Sequence, residues 1–107
     1  KCKSYGGCFQ SDNYPNHYEP NEVCLIQANA NGVIQSKQFV TDPSDTLIIH
    51  NKSYSGFNGP SCLNISKGDN ITWSSDASSV YLGFDICYDE ILSHGGEVSM
   101  FMGALLF

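Results

Sequence analysis

The sequence contains no arginine and only five lysines, against eleven acidic residues. The lysines are scattered singly along the chain, so they supply no concentrated basic face. A nucleic-acid-binding protein needs such a face to displace counterions from phosphates, and an anionic membrane surface makes a similar demand. The net charge of −6 argues against both classes of partner. It favours a cation or a basic surface on another protein.

The chain also lacks the motifs of common enzymes. It has no His-Glu-x-x-His, no Gly-x-Ser-x-Gly and no phosphate-binding Gly-Lys-Ser/Thr sequence. The three histidines, His17, His50 and His94, lie far apart, and no Cys-x-x-Cys pair indicates zinc. We therefore predict that the chain is not an enzyme.

No stretch of about 12 residues has apolar side chains at helical spacing. Short β-prone runs separated by turn residues are present instead, at 22–28, 33–40, 46–50, 63–66, 70–75 and 80–88. The Asn31-Gly32 pair predicts a hairpin between the first two runs. The pattern predicts an all-β fold: an antiparallel, jelly-roll-like β-sandwich of two packed sheets. We expect Phe39, Trp73 and Phe84 to anchor its core.

Cysteines and glycosylation sequons indicate an oxidising, extracellular setting. Five cysteines occur in 107 residues, so one is left over after pairing. Three Asn-x-Ser/Thr sequons begin at Asn51, Asn64 and Asn70, and the last two asparagines fall on the polar face of their strands. We predict a disulfide-stabilised glycoprotein that is secreted or displayed on the outer cell surface.

Four motifs, in order, resemble the CUB family of extracellular modules. Residues 9–20 are similar to the family's Phe, Ser-Pro-Asn-Tyr-Pro and Tyr-Pro signature, although Asp12 replaces the usual proline. Cys24 matches the cysteine that follows, 70–79 resembles the strand ending in Ser-Asp-x-Ser, and 83–86 resembles the Gly-Phe strand. The resemblance, closest to divergent modules of microbial eukaryotes, covers about 2–90. It implies a CUB-like sandwich domain at 1–90, followed by an apolar segment at 91–107.

The resemblance also suggests disulfides. The family pairs a cysteine before the Tyr-Pro loop with the one after it, which favours Cys8–Cys24, with Cys2–Cys24 as the alternative. Cys87 would then pair with Cys2 or with Cys62. Cys2–Cys87 is preferred, which leaves Cys62 free.

Many CUB modules hold calcium at one end of the sandwich, and the resemblance maps that site onto this chain. The candidate ligands are Asp42, Asp45, Asp76, Ser78 and Ser79, with Tyr18 orienting an aspartate. Calcium prefers six to eight hard oxygen ligands, which carboxylates, carbonyls and water supply. The alternative is that the aspartates are ordinary turn residues. In the family, such a site grips a lysine of a protein ligand, so the resemblance implies a non-catalytic protein-binding or adhesion module.

Two other functions stay open. The nearly continuous apolar residues of the C-terminal segment are too few to span a bilayer. They would pack on the domain or dock on a partner in a larger assembly, as a structural subunit does. The candidate docking residues are Met100, Phe101, Leu105, Leu106 and Phe107. A carbohydrate-binding module is the third possibility, with Tyr54, Phe57 and Tyr81 as stacking platforms.

Overall fold

The computed structural model describes residues 2–94 and 97–102, with side chains described through residue 90. Two antiparallel sheets form a disulfide-stabilised all-β sandwich, as the sequence predicts. None of the described residues belongs to a helix long and apolar enough to cross a membrane. The strands are β1 (Cys2–Tyr5), β2 (Cys8–Ser11), β3 (Val23–Gln27), β4 (Gly32–Val40), β5 (Thr46–Ile49), β6 (Lys52–Tyr54), β7 (Leu63–Ile65), β8 (Asn70–Ser74), β9 (Gly83–His94) and β10 (Glu97–Met102).

The first sheet has the order β1-β2-β9-β4-β7, with β10 also paired to β9, and the second has the order β3-β8-β5-β6. Period-two alternation places one face of each strand inside. Trp73 of the second sheet contacts Phe84 of the first with ring centroids 5.1 Å apart. Trp73 and Phe84 are fully buried and Phe39 nearly so, which confirms the predicted core anchors.

Gly83 lies where two segments approach closely. Its φ is +97°, and a Cβ atom there would collide with the Ser11 side chain. The Ser11 hydroxyl accepts a hydrogen bond from the Phe84 amide at 3.2 Å. Glycine at this position therefore allows β9 to start against β2, as expected from the Gly-Phe motif.

The hairpin predicted at Asn31-Gly32 is wrong. The strand before it, β3, pairs with β8, whereas β4 pairs with β7 and β9, so the segment crosses between sheets. Gly32 does not adopt the left-handed conformation of a hairpin turn. It is buried, and a Cβ atom would lie 2.5 Å from the Asp89 carbonyl oxygen and 2.8 Å from the Tyr88 ring. The glycine serves close packing, which a dipeptide pattern does not distinguish from a turn.

The favoured disulfide pairing is also wrong. The structure joins Cys2 to Cys24 and Cys8 to Cys87, instead of Cys8 to Cys24 and Cys2 to Cys87. Cys8 and Cys87 are direct cross-strand partners of β2 and β9, with Cα atoms 3.9 Å apart. Cys2–Cys24 is the alternative that the family resemblance suggests for the first bond. The geometry follows from the pairing of β2 with β9, which distant sequence positions do not reveal.

Cys62 is exposed and forms no disulfide. Its φ is +48°, and its amide and thiol both donate to Gln35 Oε1, at 3.0 and 3.1 Å. These bonds hold the segment before β7 against β4.

The boundary drawn at residue 90 falls inside β9, which continues to His94. β10 pairs with this extension, with Met100 opposite Ile91 and Phe101 opposite Glu90. The side chains of Met100 and Phe101, and all of Leu105, Leu106 and Phe107, lie outside the described residues. The docking role assigned to them stays a prediction.

Candidate metal centre

Three loops meet at one end of the sandwich. They join β2 to β3, β4 to β5, and β8 to β9. Backbone hydrogen bonds connect them: the Tyr18 amide donates to the Tyr81 carbonyl at 3.1 Å, and the Asn21 amide donates to the Asp76 carbonyl at 2.9 Å. Residues distant in sequence are thus held side by side.

Asp45 lies at the centre of this end and is fully buried. Its Oδ2 accepts a hydrogen bond from the Tyr18 hydroxyl at 2.6 Å, and its Oδ1 accepts one from the Asp76 amide at 2.8 Å. A buried carboxylate is tolerated only when donors surround it in this way. Asp45 therefore connects its own loop to the loops that contain Tyr18 and Asp76.

Tyr18 donates a hydrogen bond to an aspartate, as the resemblance implies. The side chain is 1% exposed and packs edge-on against Trp73, with ring centroids 5.0 Å apart. Besides donating to Asp45, its oxygen accepts a hydrogen bond from the Asp42 amide at 3.0 Å. Burial, followed by the bond to Asp45, raises the pKa of Tyr18 well above its ordinary value, so the hydroxyl stays protonated as a donor.

Asp42 and Asp76 occupy tight turns on either side of Asp45. Asp42 Oδ2 accepts bonds from the amide and hydroxyl of Ser44. Asp76 Oδ1 accepts bonds from the amide of Ser78 at 3.0 Å and from its hydroxyl at 2.7 Å. These are the local bonds by which aspartate initiates a turn. The turn interpretation of these residues is thus correct in geometry, and it does not exclude a ligand role for the remaining oxygens.

The pKa of Asp76 is lowered to about 2. The neighbouring Ser44 hydroxyl is the largest cause, followed by the amide and hydroxyl of Ser78. Hydrogen bonds to the charged form favour that form. Asp76 is therefore ionised throughout the physiological pH range.

The three aspartates form one compact cluster. One ligand oxygen from each of Asp42, Asp45 and Asp76 lies within 4.8 Å of the other two. In the described part of the chain, no lysine or histidine forms an ion pair with any of them. Two oxygens bound to the same calcium ion lie at most about 5 Å apart, which is twice the usual bond length of about 2.3–2.6 Å. The spacing and the hard oxygen donors fit a calcium ion.

The two serines of the predicted ligand set are placed differently. Ser78 is exposed and its hydroxyl is committed to Asp76. Ser79 is exposed in the same loop, and none of the described contacts joins its side chain to the aspartates. Their carbonyl groups remain candidate ligands.

Sequence reasoning missed two residues that shape this end. Ser44 bonds Asp42 and lowers the pKa of Asp76; an Asp followed two residues later by Ser is a recognisable turn pattern. Glu22 is buried, and its carboxylate accepts bonds from the Trp73 indole at 3.1 Å and the Glu19 amide at 3.1 Å. Its own amide donates to Ser75, which immediately precedes Asp76. No sequence pattern marked this second residue.

The three stacking residues proposed for carbohydrate differ in exposure and surroundings. Phe57 is 78% exposed and Tyr81 is 39% exposed. Tyr54 packs against the core, and the Lys52 ammonium group lies 5.2 Å from its ring centroid. Among the described side chains, no ring contact joins any two of these three residues.

No protein-family model matches the chain, and no curated protein is significantly similar to it. The CUB resemblance therefore stays a hypothesis based on the motifs.

Proposed function

We propose that this chain is a non-catalytic extracellular binding module in which Asp42, Asp45 and Asp76 hold a calcium ion and the acidic loops bind a basic group of a protein partner. The cluster of three carboxylates, which form no ion pair with any described lysine or histidine, carries this proposal. Three negative charges within 4.8 Å repel one another, and Asp45 is fully buried. A bound cation would offset that repulsion.

Each residue has a defined part in this proposal. Asp45 is held by Tyr18 and supplies the buried side of the site, while Asp42 and Asp76 supply the outer side. When bound, calcium would supply positive charge that neutralises the carboxylates and ties the loops together. Three ionised aspartates carry one more negative charge than a calcium ion neutralises. The net charge of this end would therefore stay negative and attract a lysine.

Two further features support an extracellular role. The two disulfides suit an oxidising compartment, where such bonds persist. The motifs that resemble CUB modules support calcium-dependent protein binding, since the corresponding loops carry the ligands in that family.

The first test is thermal unfolding in calcium and in EGTA. Binding to the native state at a hundredfold excess over Kd stabilises by about 2.7 kcal/mol, which corresponds to a rise in Tm of roughly ten degrees or more for a domain of this size. Asp76→Ala should abolish the rise. Asp69→Ala is the matched control, because Asp69 lies at the opposite end and pairs with His50. An unchanged Tm, or an equal rise in Asp76→Ala, would reject the calcium site.

The partner chemistry is tested by NMR titration with a short lysine-containing peptide. We expect shifts in residues 42–45 and 76–79 in calcium, and none in EGTA. The control is the same peptide with Nε-acetylated lysine, which lacks the charge. Equal shifts with both peptides would contradict recognition of a basic group.

A further inference from the structure

The three sequons gather at one end of the sandwich. Asn51 follows His50 in the turn between β5 and β6, and Asn70 follows Asp69 at the start of β8. The His50 Nε2 atom lies 2.7 Å from Asp69 Oδ2, so the two turns are in contact.

Asn64 belongs to the same region. It lies in β7, two residues before Ser66, whose amide donates to Asp69 Oδ2 at 2.8 Å. All three sequon asparagines are thus within two residues of one hydrogen-bonded network. Sequence positions 51, 64 and 70 gave no indication of this convergence.

This end lies opposite the acidic cluster. Asp45 precedes β5 and His50 follows it, so about 17 Å separates them at about 3.3 Å per residue. β8 runs antiparallel to β5, from Asn70 at the sequon end to Ser74, just before Asp76. The two strands place the sequons and the aspartates at opposite ends of the same sheet.

The sequon side chains are accessible. Asn51, Asn64 and Asn70 are all exposed. The Oδ1 atom of Asn70 accepts a bond from Gln27 at 3.3 Å, whereas its Nδ2 atom, to which a glycan would attach, donates none among the described contacts. Nothing in the described structure encloses the attachment atoms.

Two of the three sequons also lie at sheet edges that no disulfide covers. Cys2–Cys24 joins the edge strands β1 and β3. Of the remaining edge strands, Asn51 directly precedes β6, and β7 contains Asn64. Exposed edges invite pairing with other chains, and a bulky hydrophilic group prevents it.

We propose that Asn51, Asn64 and Asn70 all carry N-linked glycans, which cover this end and the β6/β7 edge and leave the acidic loops as the accessible binding end. The donor is a lipid-linked pyrophosphate oligosaccharide of the secretory pathway. The Asn Nδ2 atom forms a bond to sugar C1, the bond from C1 to the pyrophosphate oxygen breaks, and the amide loses one proton. The assignment of the acidic loops as the binding end rests on the proposed function.

Glycan occupancy is measured directly. The chain is secreted from a eukaryotic host, and its glycans are released by an amidase in ¹⁸O water, which converts each occupied asparagine to a heavy-labelled aspartate. We expect the label at all three positions by peptide mass spectrometry. Absence of the label from any of them overturns the proposal.

The accessibility of the acidic loops to the peptide is measured with a variant that carries an additional glycan in one of these loops. Ala77→Asn creates a sequon with Ser78 and Ser79 in the acidic loop, and Ala77→Gln is the matched control without a sequon. Trimming the natural glycans with an endoglycosidase should leave lysine-peptide affinity within twofold. In glycosylated Ala77→Asn, affinity should fall at least tenfold and recover on trimming.

The outcomes separate the two proposals. A severalfold gain in affinity on trimming the natural glycans would show that they obstruct the binding end, and would overturn the inference. If no form binds the peptide or calcium, the proposed function fails, and the mass-spectrometric label still decides the glycan assignment.

Discussion

The two ends of the sandwich both present aspartates in loops, but these aspartates have different hydrogen-bond partners. At one end, Asp69 accepts bonds from His50 and from the Ser66 amide. At the other, Asp42, Asp45 and Asp76 lie within 4.8 Å of one another, and the hydrogen bonds described to their carboxylates come from amides and hydroxyls. Asp69 has a histidine partner, whereas none of the three clustered aspartates forms an ion pair within the described residues. The clustered end is therefore the one to which we assign the proposed calcium site.

The aspartates of the two ends also differ in how deeply they are buried. Asp45 is fully buried, while the Asp69 side chain is 27% exposed. Each end also has a buried tyrosine whose hydroxyl anchors a loop: Tyr18 bonds to Asp45, and Tyr88 bonds to the Ala30 carbonyl. Comparable residues therefore serve as matched probes of the two ends.

The largest difference in stability between the two ends is expected when Asp45 or Asp69 is replaced by alanine. Asp45→Ala leaves the Tyr18 hydroxyl and the Asp76 amide without an acceptor in a buried site, so we expect a loss of about 3 kcal/mol. Asp69→Ala removes an exposed pair and should cost less than about 1 kcal/mol. Urea unfolding in EGTA measures both free energies. Equal losses would mean that Asp45 is no more important to the fold than a surface aspartate.

A smaller difference in stability is expected when Tyr18 or Tyr88 is replaced by phenylalanine. Tyr18→Phe removes one bond to a carboxylate and one from the Asp42 amide, which should cost about 2 kcal/mol; Tyr88→Phe removes a bond to a neutral carbonyl and should cost about 1 kcal/mol. The same unfolding experiment ranks them. The reverse order would contradict the orienting role of Tyr18. Tyr18→Phe should also weaken calcium binding, and Tyr88→Phe should not.

The smallest effects concern titration. The pKa of Asp76 is lowered to about 2, mainly by Ser44, and the pKa of Asp69 is lowered mainly by His50. Because folding depresses both values, their contribution to stability is complete above pH ~4 and is lost as pH falls through the folded pKa, near pH 2 for Asp76. Carboxyl-carbon NMR should show that Ser44→Ala raises the pKa of Asp76 and leaves that of Asp69 unchanged, and that His50→Ala raises the pKa of Asp69 and leaves that of Asp76 unchanged. A shift at both aspartates in either variant would show that the two ends are coupled.

Much of the fold could be predicted from local sequence. The runs at 33–40, 46–50 and 70–75 match β4, β5 and β8 within a residue at each end, because alternating or continuous apolar residues mark strands with a buried face. β1, β2 and β6 were missed, and each has only three or four residues. In β1 and β6, Lys3, Ser4, Lys52 and Ser53 are exposed, so neither strand has an apolar pattern.

The candidate site was predictable only in part. Tyr18, Asp42, Asp45 and Asp76 came from the motif resemblance, and the structure brings them together. Glu22 could not be found in this way, since its role depends on the Trp73 indole 51 positions away. The disulfide partners depended in the same way on which strands pair.

The sequence by itself determined the all-β class, the core anchors and the acidic character. These follow from composition, alternation and the chemistry of individual side chains, which are local properties. Only the tertiary structure decided that the Asn-Gly segment crosses between sheets, that Cys8 faces Cys87, and that the sequons and the aspartates occupy opposite ends. Those outcomes depend on contacts between distant segments, whose pairing is selected by packing of the whole core rather than by any one stretch of chain.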